Sequence, residues 1–177
     1  MPTAPNPTAD RPALLAALTS FQERLVQAGD RRSQVAPDVS GWAVDQHTYH
    51  AALAGSLALQ NVTNLIAEKG MLIRLEAEPS VLFPKLVELG FPRGQTKSPR
   101  MVVPPDAVDP EVLAQELSGA IAAANELESI VDRVTAAPGF IPHQMLGALT
   151  AEQWLCFARM HTEHHLMIAT EVADALA

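Results

Sequence analysis

Residues 150–172 read TAEQWLCFARMHTEHHLMIATEV, and this stretch predicts one long helix with a defined start. Thr150 and Gln153 have the spacing of a capping box, in which the hydroxyl group and the amide side chain satisfy two free backbone N–H groups. Apolar residues and histidines then recur every three or four positions, which is the period of a helix that buries one side. That side carries Trp154, Ala158, His161, His165, Ile168 and Val172.

Three earlier segments show the same helical period, each with its own apolar stripe. The first is predicted to begin with Asp10 as its N-cap and to end at Gly29. The second covers about residues 41–70, and the third runs from Asp109, another predicted N-cap, to Pro138. Since no alternating strand pattern of any length appears, the sequence predicts an all-α protein.

Residues 71–108, between the second and third predicted helices, differ from the rest of the chain. The stretch contains six prolines, and we expect one short helix in it, from Val81 to Leu89 and bent at Pro84. It is too long for a simple turn, so we expect an ordered crossover packed on the helices. Four long helices with one long connection predict a four-helix bundle. We expect a flexible tail over residues 1–10 and a single domain over residues 11–177.

Composition and charge exclude several classes of protein. The chain has 177 residues, of which 48% are hydrophobic and 18% are charged, so it is not a disordered chain. The formal net charge is −8, and the only basic clusters, at residues 31–32 and 93–100, are short. We therefore expect no nucleic-acid partner. No apolar segment approaches the roughly 20 residues that cross a bilayer, so we expect no membrane partner.

The single cysteine and the N-terminal sequence bear on the compartment. Cys156 is alone, so no internal disulfide can form, which fits a reducing environment. Residues 1–10 contain three prolines, no basic residue and no apolar block, unlike a secretory or transit peptide. We therefore expect a cytoplasmic protein.

The six histidines lie in three places: the second helix, the segment before the fourth helix, and the fourth helix. His161 and His165 are four residues apart on the apolar side, so both rings should point into the protein. Two adjacent buried imidazoles cannot both carry a charge cheaply, and a shared metal ion would satisfy both as neutral ligands. Core histidines bonded to backbone or carboxylate groups remain the alternative.

A metal site needs at least a third ligand, and the second helix offers His47 and His50. His50 lies near the apolar stripe of that helix, whereas His47 is a candidate neighbour of the site or a hydrogen-bond donor to one of the ligands. Three imidazoles from two helices would leave coordination positions open, which is typical of a catalytic rather than a structural metal.

Two motifs resemble the DinB/YfiT-like superfamily of metal-dependent four-helix bundles. Residues 41–50, GWAVDQHTYH, resemble its second-helix motif, in which a tryptophan is followed eight positions later by a metal-binding histidine. Residues 161–166, HTEHHL, resemble its last-helix motif, in which the first and last histidines bind metal. The resemblance implies a divalent metal ion, with zinc or nickel favoured and iron an alternative, held by His50, His161 and His165.

Further stretches resemble one uncharacterised branch of that superfamily: LFPK at residues 82–85, GFPRG at 90–94 and HQMLGALT at 143–150. The chain departs from the pattern at Ala43, where many members have Ser or Thr, and at Gln144 and Leu146. We therefore expect the cap of the second helix to come from elsewhere, with Ser40 as a candidate. The last two departures affect substrate contacts rather than the metal ligands.

Five other residues are candidates for a role near the site. His143 precedes the fourth helix in a loop that could close over the metal, and it is a candidate pocket residue with His47. We expect His164 at the surface or an interface, and Cys156 as a buried structural thiol. Glu163 and Glu171 flank the histidines; surface carboxylates are the commoner interpretation, although Glu163 could bond a ring N–H.

Three functions fit these features. The resemblance implies a metal-dependent enzyme, most often a thiol-dependent S-transferase that uses a low-molecular-weight thiol and works as a homodimer. A metal-dependent hydrolase could use the same site with water as the nucleophile. A stress-related protein that binds a metal or ligand without turnover is the third hypothesis.

Overall fold

The computed structural model describes residues 4–94 and 98–177, and within these ranges the protein is mostly helical. The first three residues of the predicted tail and residues 95–97 of the crossover lie outside the described residues. Within the described ranges there are five α-helices and one two-stranded antiparallel sheet. These elements are α1 (Pro7–Ala28), α2 (Val44–Ala67), α3 (Phe83–Leu89), α4 (Pro110–Glu126), β1 (Ile141–His143), β2 (Gly147–Leu149) and α5 (Ala151–Ala175).

The four long helices pack against one another through their apolar stripes. α5 contacts α1 and α2, and α4 contacts the same two helices. Fully buried side chains from several elements fill the space between them, including Phe21, Leu59 and Leu155. The packing of α2 against α5 brings together the two segments that carry most of the histidines. None of the helices in the described ranges has the length and apolar character needed to span a membrane.

Two of the predicted helix starts are confirmed. The Asp109 carboxylate accepts hydrogen bonds from the backbone N–H groups of Glu111 and Val112, at 2.8 and 3.3 Å. At the start of α5, Thr150 Oγ1 accepts from the N–H of Gln153, and Gln153 Oε1 accepts from the N–H of Thr150. Both caps satisfy N–H groups that have no partner inside the helix.

The predicted start of α1 is wrong. The helix begins at Pro7 with Asn6 as its N-cap residue, so it includes the last four residues of the predicted tail. Asp10 is buried inside its first turn, where its carboxylate accepts from Arg159 of α5 at 2.5 Å. A carboxylate with a buried arginine partner is better placed there than at an exposed cap, and the pair ties α1 to α5.

The start of α2 lacks a side-chain cap from Ser40. The helix begins at Val44, and Gln46 Oε1 accepts from the N–H of Ala43 at 3.0 Å. Ser40 Oγ instead accepts from the N–H of Trp42, which precedes the helix. The Ser40 hydroxyl is thereby held beside the histidines of α2.

The crossover is built differently from the prediction. α3 begins at Phe83, and Pro84 lies in its first turn, where a missing N–H costs no hydrogen bond, so the predicted bend at Pro84 is wrong. An isolated bridge pairs Arg74 with Phe140 just before β1. Gly139 permits this approach: its φ is +78°, and a Cβ there would lie 2.8 Å from the Arg74 carbonyl oxygen.

The two-stranded sheet was not predicted. β1 and β2 pair Ile141 with Leu149 and His143 with Gly147 across a three-residue turn, residues 144–146. Three residues per strand are too few to show an alternating pattern in the sequence. The hairpin, which precedes α5, sets the position of His143.

Candidate metal centre

Three histidines from two helices converge at one end of the α2–α5 contact. His50 of α2 and His161 and His165 of α5 can each offer one ring nitrogen, and these three atoms lie within 4.8 Å of one another. Their ring centroids are 4.4 to 4.9 Å apart. The four-residue spacing places His161 and His165 on one face of α5, and the packing of α2 adds His50.

Burial keeps these imidazoles neutral. His50 and His165 are buried, and His161 is mostly buried. Loss of hydration disfavours the charged form and lowers the pKa of all three. Neighbouring histidines lower the pKa of His161 and His165 further, whereas the contact with the Val102 carbonyl opposes the shift at His50. Each ring therefore has a lone pair to offer at neutral pH.

The hydrogen bond of His50 fixes which nitrogen is available. His50 Nδ1 lies 2.7 Å from the carbonyl oxygen of Val102, which can only accept, so Nδ1 carries the proton. Nε2 of His50 is left with its lone pair and lies 3.2 Å from Nε2 of His161. Orientation of an imidazole by a backbone carbonyl is the usual support for a metal-binding histidine.

His161 has a buried ring nitrogen, Nδ1, without a hydrogen-bond partner among the described residues. A buried polar atom without a partner costs about 1–3 kcal/mol, so such atoms are rare. Three converging neutral imidazoles, one of them with an unpartnered buried nitrogen, fit a divalent cation, because imidazole nitrogen is a common ligand of zinc, nickel and iron.

His165 is oriented by a chain of two further side chains. Its Nδ1 lies 3.0 Å from Nδ1 of His47, and Nε2 of His47 lies 2.9 Å from Ser40 Oγ. If His165 donates to His47, His47 donates to Ser40, and Nε2 of His165 is left with a lone pair. Burial lowers the pKa of His47 to about 3, so it too is neutral. His47 thus occupies the supporting position that the sequence suggested.

Aromatic rings surround the three histidines. Trp42 lies 5.0 Å from His50 between ring centroids, and Phe157 stacks on His161 at 5.3 Å with an interplanar angle of 19°. Phe91, from the crossover, contacts the edge of His161 at 5.4 Å. These rings limit the access of water to the histidines. Only the folded crossover brings Phe91 to the site, whereas Phe157 lies four positions before His161 on α5, so the helical period alone could have identified it.

His143 lies on the wall of the same site. Its Nδ1 accepts from the backbone N–H groups of Met145 and Leu146, so its proton is on Nε2. Burial lowers its pKa to about 4. Its ring contacts Phe157, which also stacks on His161. His143 is therefore near the three histidines but is not one of the converging set.

His164, expected at the surface or an interface, lies in the wall of the cavity. The ring is half-buried and contacts Phe91 and His165, with centroid distances of 5.4 and 5.1 Å. Its place off the apolar stripe of α5 suggested solvent, but the crossover folds over that side of the helix and covers it. His164 consequently faces the same cavity as the other histidines.

The remaining candidates have structural partners. Glu163 pairs with Arg159 at 2.7 Å and contacts no imidazole N–H, and Glu171 pairs with Arg93 at 2.7 Å. Cys156 is fully buried. Burial, followed by the charge of Asp10, raises the pKa of its thiol to about 11. The prediction of a buried structural thiol is confirmed.

A cavity of about 900 Å³ lies over the histidines. This is within the usual range of sites for small molecules, about 300–1,000 Å³. Much of its lining is apolar and comes from α2, the crossover, the hairpin and α5. It includes Leu57, Leu72, Phe91, Arg93, Met101 and Met145, none of which the sequence analysis assigned to a pocket.

Comparison with known proteins gives one match. A model of the family described as "Protein of unknown function (DUF1569)" matches residues 92–172. This range contains His161 and His165 but not His50. The match agrees with the resemblance to an uncharacterised branch, and its description states no activity. No curated protein matches the chain. No solved structure matches it either.

Proposed function

We propose that His50, His161 and His165 bind one divalent cation and that the protein is a metal-dependent enzyme, most simply a thiol-dependent S-transferase. The observation that supports this best is the convergence of three neutral imidazoles, within 4.8 Å, at a cavity of about 900 Å³. Zinc or nickel is the favoured ion, with iron as the alternative, because all three accept imidazole ligands.

A catalytic site accounts for the arrangement better than a structural one. A structural zinc site is normally closed by four protein ligands, whereas three ligands leave a position for a substrate. When bound, the cation would lower the pKa of a thiol or water molecule in that position and so supply a nucleophile at neutral pH. The large cavity gives a second reactant room to approach.

The chain's own residues hold this site in position. The Val102 carbonyl fixes the ring of His50, and the Ser40–His47 pair fixes the ring of His165. Trp42 and Phe157 cover part of the surface of His50 and His161 and so limit the access of water to them. His143 carries its proton on Nε2, so we assign it as a hydrogen-bond donor to substrate rather than as a general base.

The finer features of the fold are part of the same proposal. We propose that α1, α2, α4 and α5 form a four-helix bundle of the DinB/YfiT-like type, that residues 71–108 are its crossover, and that residues 11–177 form one domain. The resemblance stated above also leads us to propose a cytoplasmic homodimer.

The function is tested by turnover of the metal-loaded protein. Low-molecular-weight thiols are each mixed with an aryl halide or bimane electrophile, and the formation of thioether is followed. We expect thioether formation that requires the cation, that is lost in His165→Ala, and that is retained in Glu163→Gln, an exposed substitution on the same helix. Hydrolysis of esters or amides without thiol transfer, or no turnover at all, would overturn the transferase assignment.

A further inference from the structure

The cavity over the histidines has an unusual charge for this protein. The chain has 20 acidic and 12 basic residues, yet no Asp or Glu is among the described residues that line the cavity. Arg93 is the one lining residue in that set with a permanent charge. In a protein of net charge −8, a carboxylate-free cavity with one arginine favours an anionic ligand.

The outer part of the cavity is apolar and exposed. Leu57, Leu72, Met101 and Met145 line it, and 38–70% of their surface is in contact with solvent. Large apolar groups grouped at a cavity mouth are typical of ligand sites. Methionine side chains adapt to differently shaped apolar ligands, because they are unbranched and flexible. The rim therefore suits a ligand with a substantial apolar body.

Arg93 is placed to receive the charged end of such a ligand. Its guanidinium group pairs with the Glu171 carboxylate at 2.7 Å, and both side chains are 43% exposed. An exposed ion pair of this kind contributes only about 0–1 kcal/mol to stability. A ligand carboxylate can therefore share the guanidinium group with Glu171 or displace Glu171 from it. Arg93 lines the same cavity as the converging histidines, so a ligand bound there can reach both.

We infer that this cavity binds an amphipathic monoanion. Its apolar body lies on the rim formed by Leu57, Leu72, Met101 and Met145, and its carboxylate binds Arg93. The inference names the substrate class of the proposed enzyme, and it rests on the proposed function only in treating the ligand as a substrate. A neutral apolar molecule would use the rim without Arg93. A cation would be repelled by Arg93, and a polar sugar would gain little from the apolar surface.

The test compares three ligands that share a ten-carbon chain: decanoate, decanol and decyltrimethylammonium, each below its micelle concentration. Binding to the protein treated with a chelator is measured by calorimetry. We expect decanoate to bind about tenfold more tightly than decanol, the effect of one charge-assisted hydrogen bond at a partly exposed site. The cation should bind more weakly than decanol.

Variants of the ion pair give the decisive comparison. Arg93→Gln should abolish the preference for decanoate and leave decanol binding unchanged, whereas Arg93→Lys should retain part of the preference. Glu171→Gln removes the competing carboxylate and should tighten decanoate binding a few-fold. Equal binding of decanoate and decanol by the wild type, or a preference that survives in Arg93→Gln, would overturn the inference. Because neither metal nor thiol is present, failure of the proposed enzymatic function would leave this result intact.

Discussion

Nδ1 of His47 and Nδ1 of His165 lie 3.0 Å apart, although 118 positions separate them in the sequence. One of these nitrogens must donate and the other accept, so the contact selects the tautomer of both rings. α2 thus contributes two histidines with different roles. His50 belongs to the converging set, whereas His47 contacts His165 through the nitrogen Nδ1.

Substitution of His47 should weaken metal binding without abolishing it. His47→Ala removes the partner of His165 Nδ1, and loss of a supporting group typically lowers metal affinity about 10- to 100-fold. His47→Gln restores a side-chain acceptor and should recover part of the affinity. Competition with a chromophoric chelator measures both values. Wild-type affinity in His47→Ala would show that the contact does not support the ligand.

Removal of Asp10 should destabilise the fold. Arg159 is buried and donates to both Asp10 and Glu163, so Asp10→Ala removes the buried one of its two carboxylate partners. We expect a loss of about 3 kcal/mol in the free energy of unfolding, which is the lower end of the range for breaking a buried ion pair. The lower end applies because Glu163 still pairs with Arg159. Urea denaturation measures it.

Glu163→Gln is the matched control for that measurement. Glu163 binds the same Arg159 but is 43% exposed, so its removal should cost less than about 1 kcal/mol. Equal losses in the two variants would contradict the buried position of Asp10 in α1.

Acid should destabilise the metal-free protein through His143. Burial lowers the pKa of His143 from 6.5 to about 4 in the folded state. The titratable group that faces His143 across Phe157 is His161 of α5, and burial keeps it neutral as well. Below pH 6.5 the unfolded chain therefore binds a proton at this position that the folded protein does not. The free energy of unfolding should be highest above pH 6.5 and should fall as the pH decreases towards 4.

Denaturation of the wild type and of His143→Gln across this pH range tests the assignment. The substitution removes the titrating group, so the variant should lose less stability between pH 6.5 and 4 than the wild type. Identical pH profiles would show that His143 is not buried in its neutral form.

The thiol of Cys156 should be unreactive in the folded protein. It is fully buried, and its pKa is raised to about 11, so the thiolate is scarce and inaccessible at neutral pH. An aromatic disulfide reagent should titrate one thiol per chain in denaturant and almost none without it. Rapid modification of the native protein would place Cys156 at an accessible position instead.

The sequence was sufficient for the features that depend on local pattern. The capping residues Asp109 and Thr150 were predictable because a cap is decided by residues two or three positions apart. The grouping of His161 with His165 follows from the helical period. His50 was predicted to join them because it lies near the apolar stripe of the second helix and matches the metal-binding histidine of the superfamily motif.

Features that depend on distant contacts were missed. Asp10 resembled an N-cap in the sequence, and only its pairing with Arg159, 149 positions away, places it inside the helix. His164 was expected at the surface because nothing local shows that Phe91 covers it. Arg93 and two residues of the apolar rim, Leu72 and Met101, lie in the Pro-rich crossover, which has no periodic pattern from which its path could be predicted.

Elemental analysis of purified protein tests the central claim most directly. The wild type should contain about one divalent ion per chain, and His50→Ala, His161→Ala and His165→Ala should each lose it while keeping wild-type helical content, since a three-ligand site does not survive the loss of one ligand. His164→Ala, the adjacent cavity histidine outside the converging set, should retain the ion. Equal metal content in His165→Ala and the wild type, or a wild type that takes up no ion from added zinc, nickel or iron, would contradict the account.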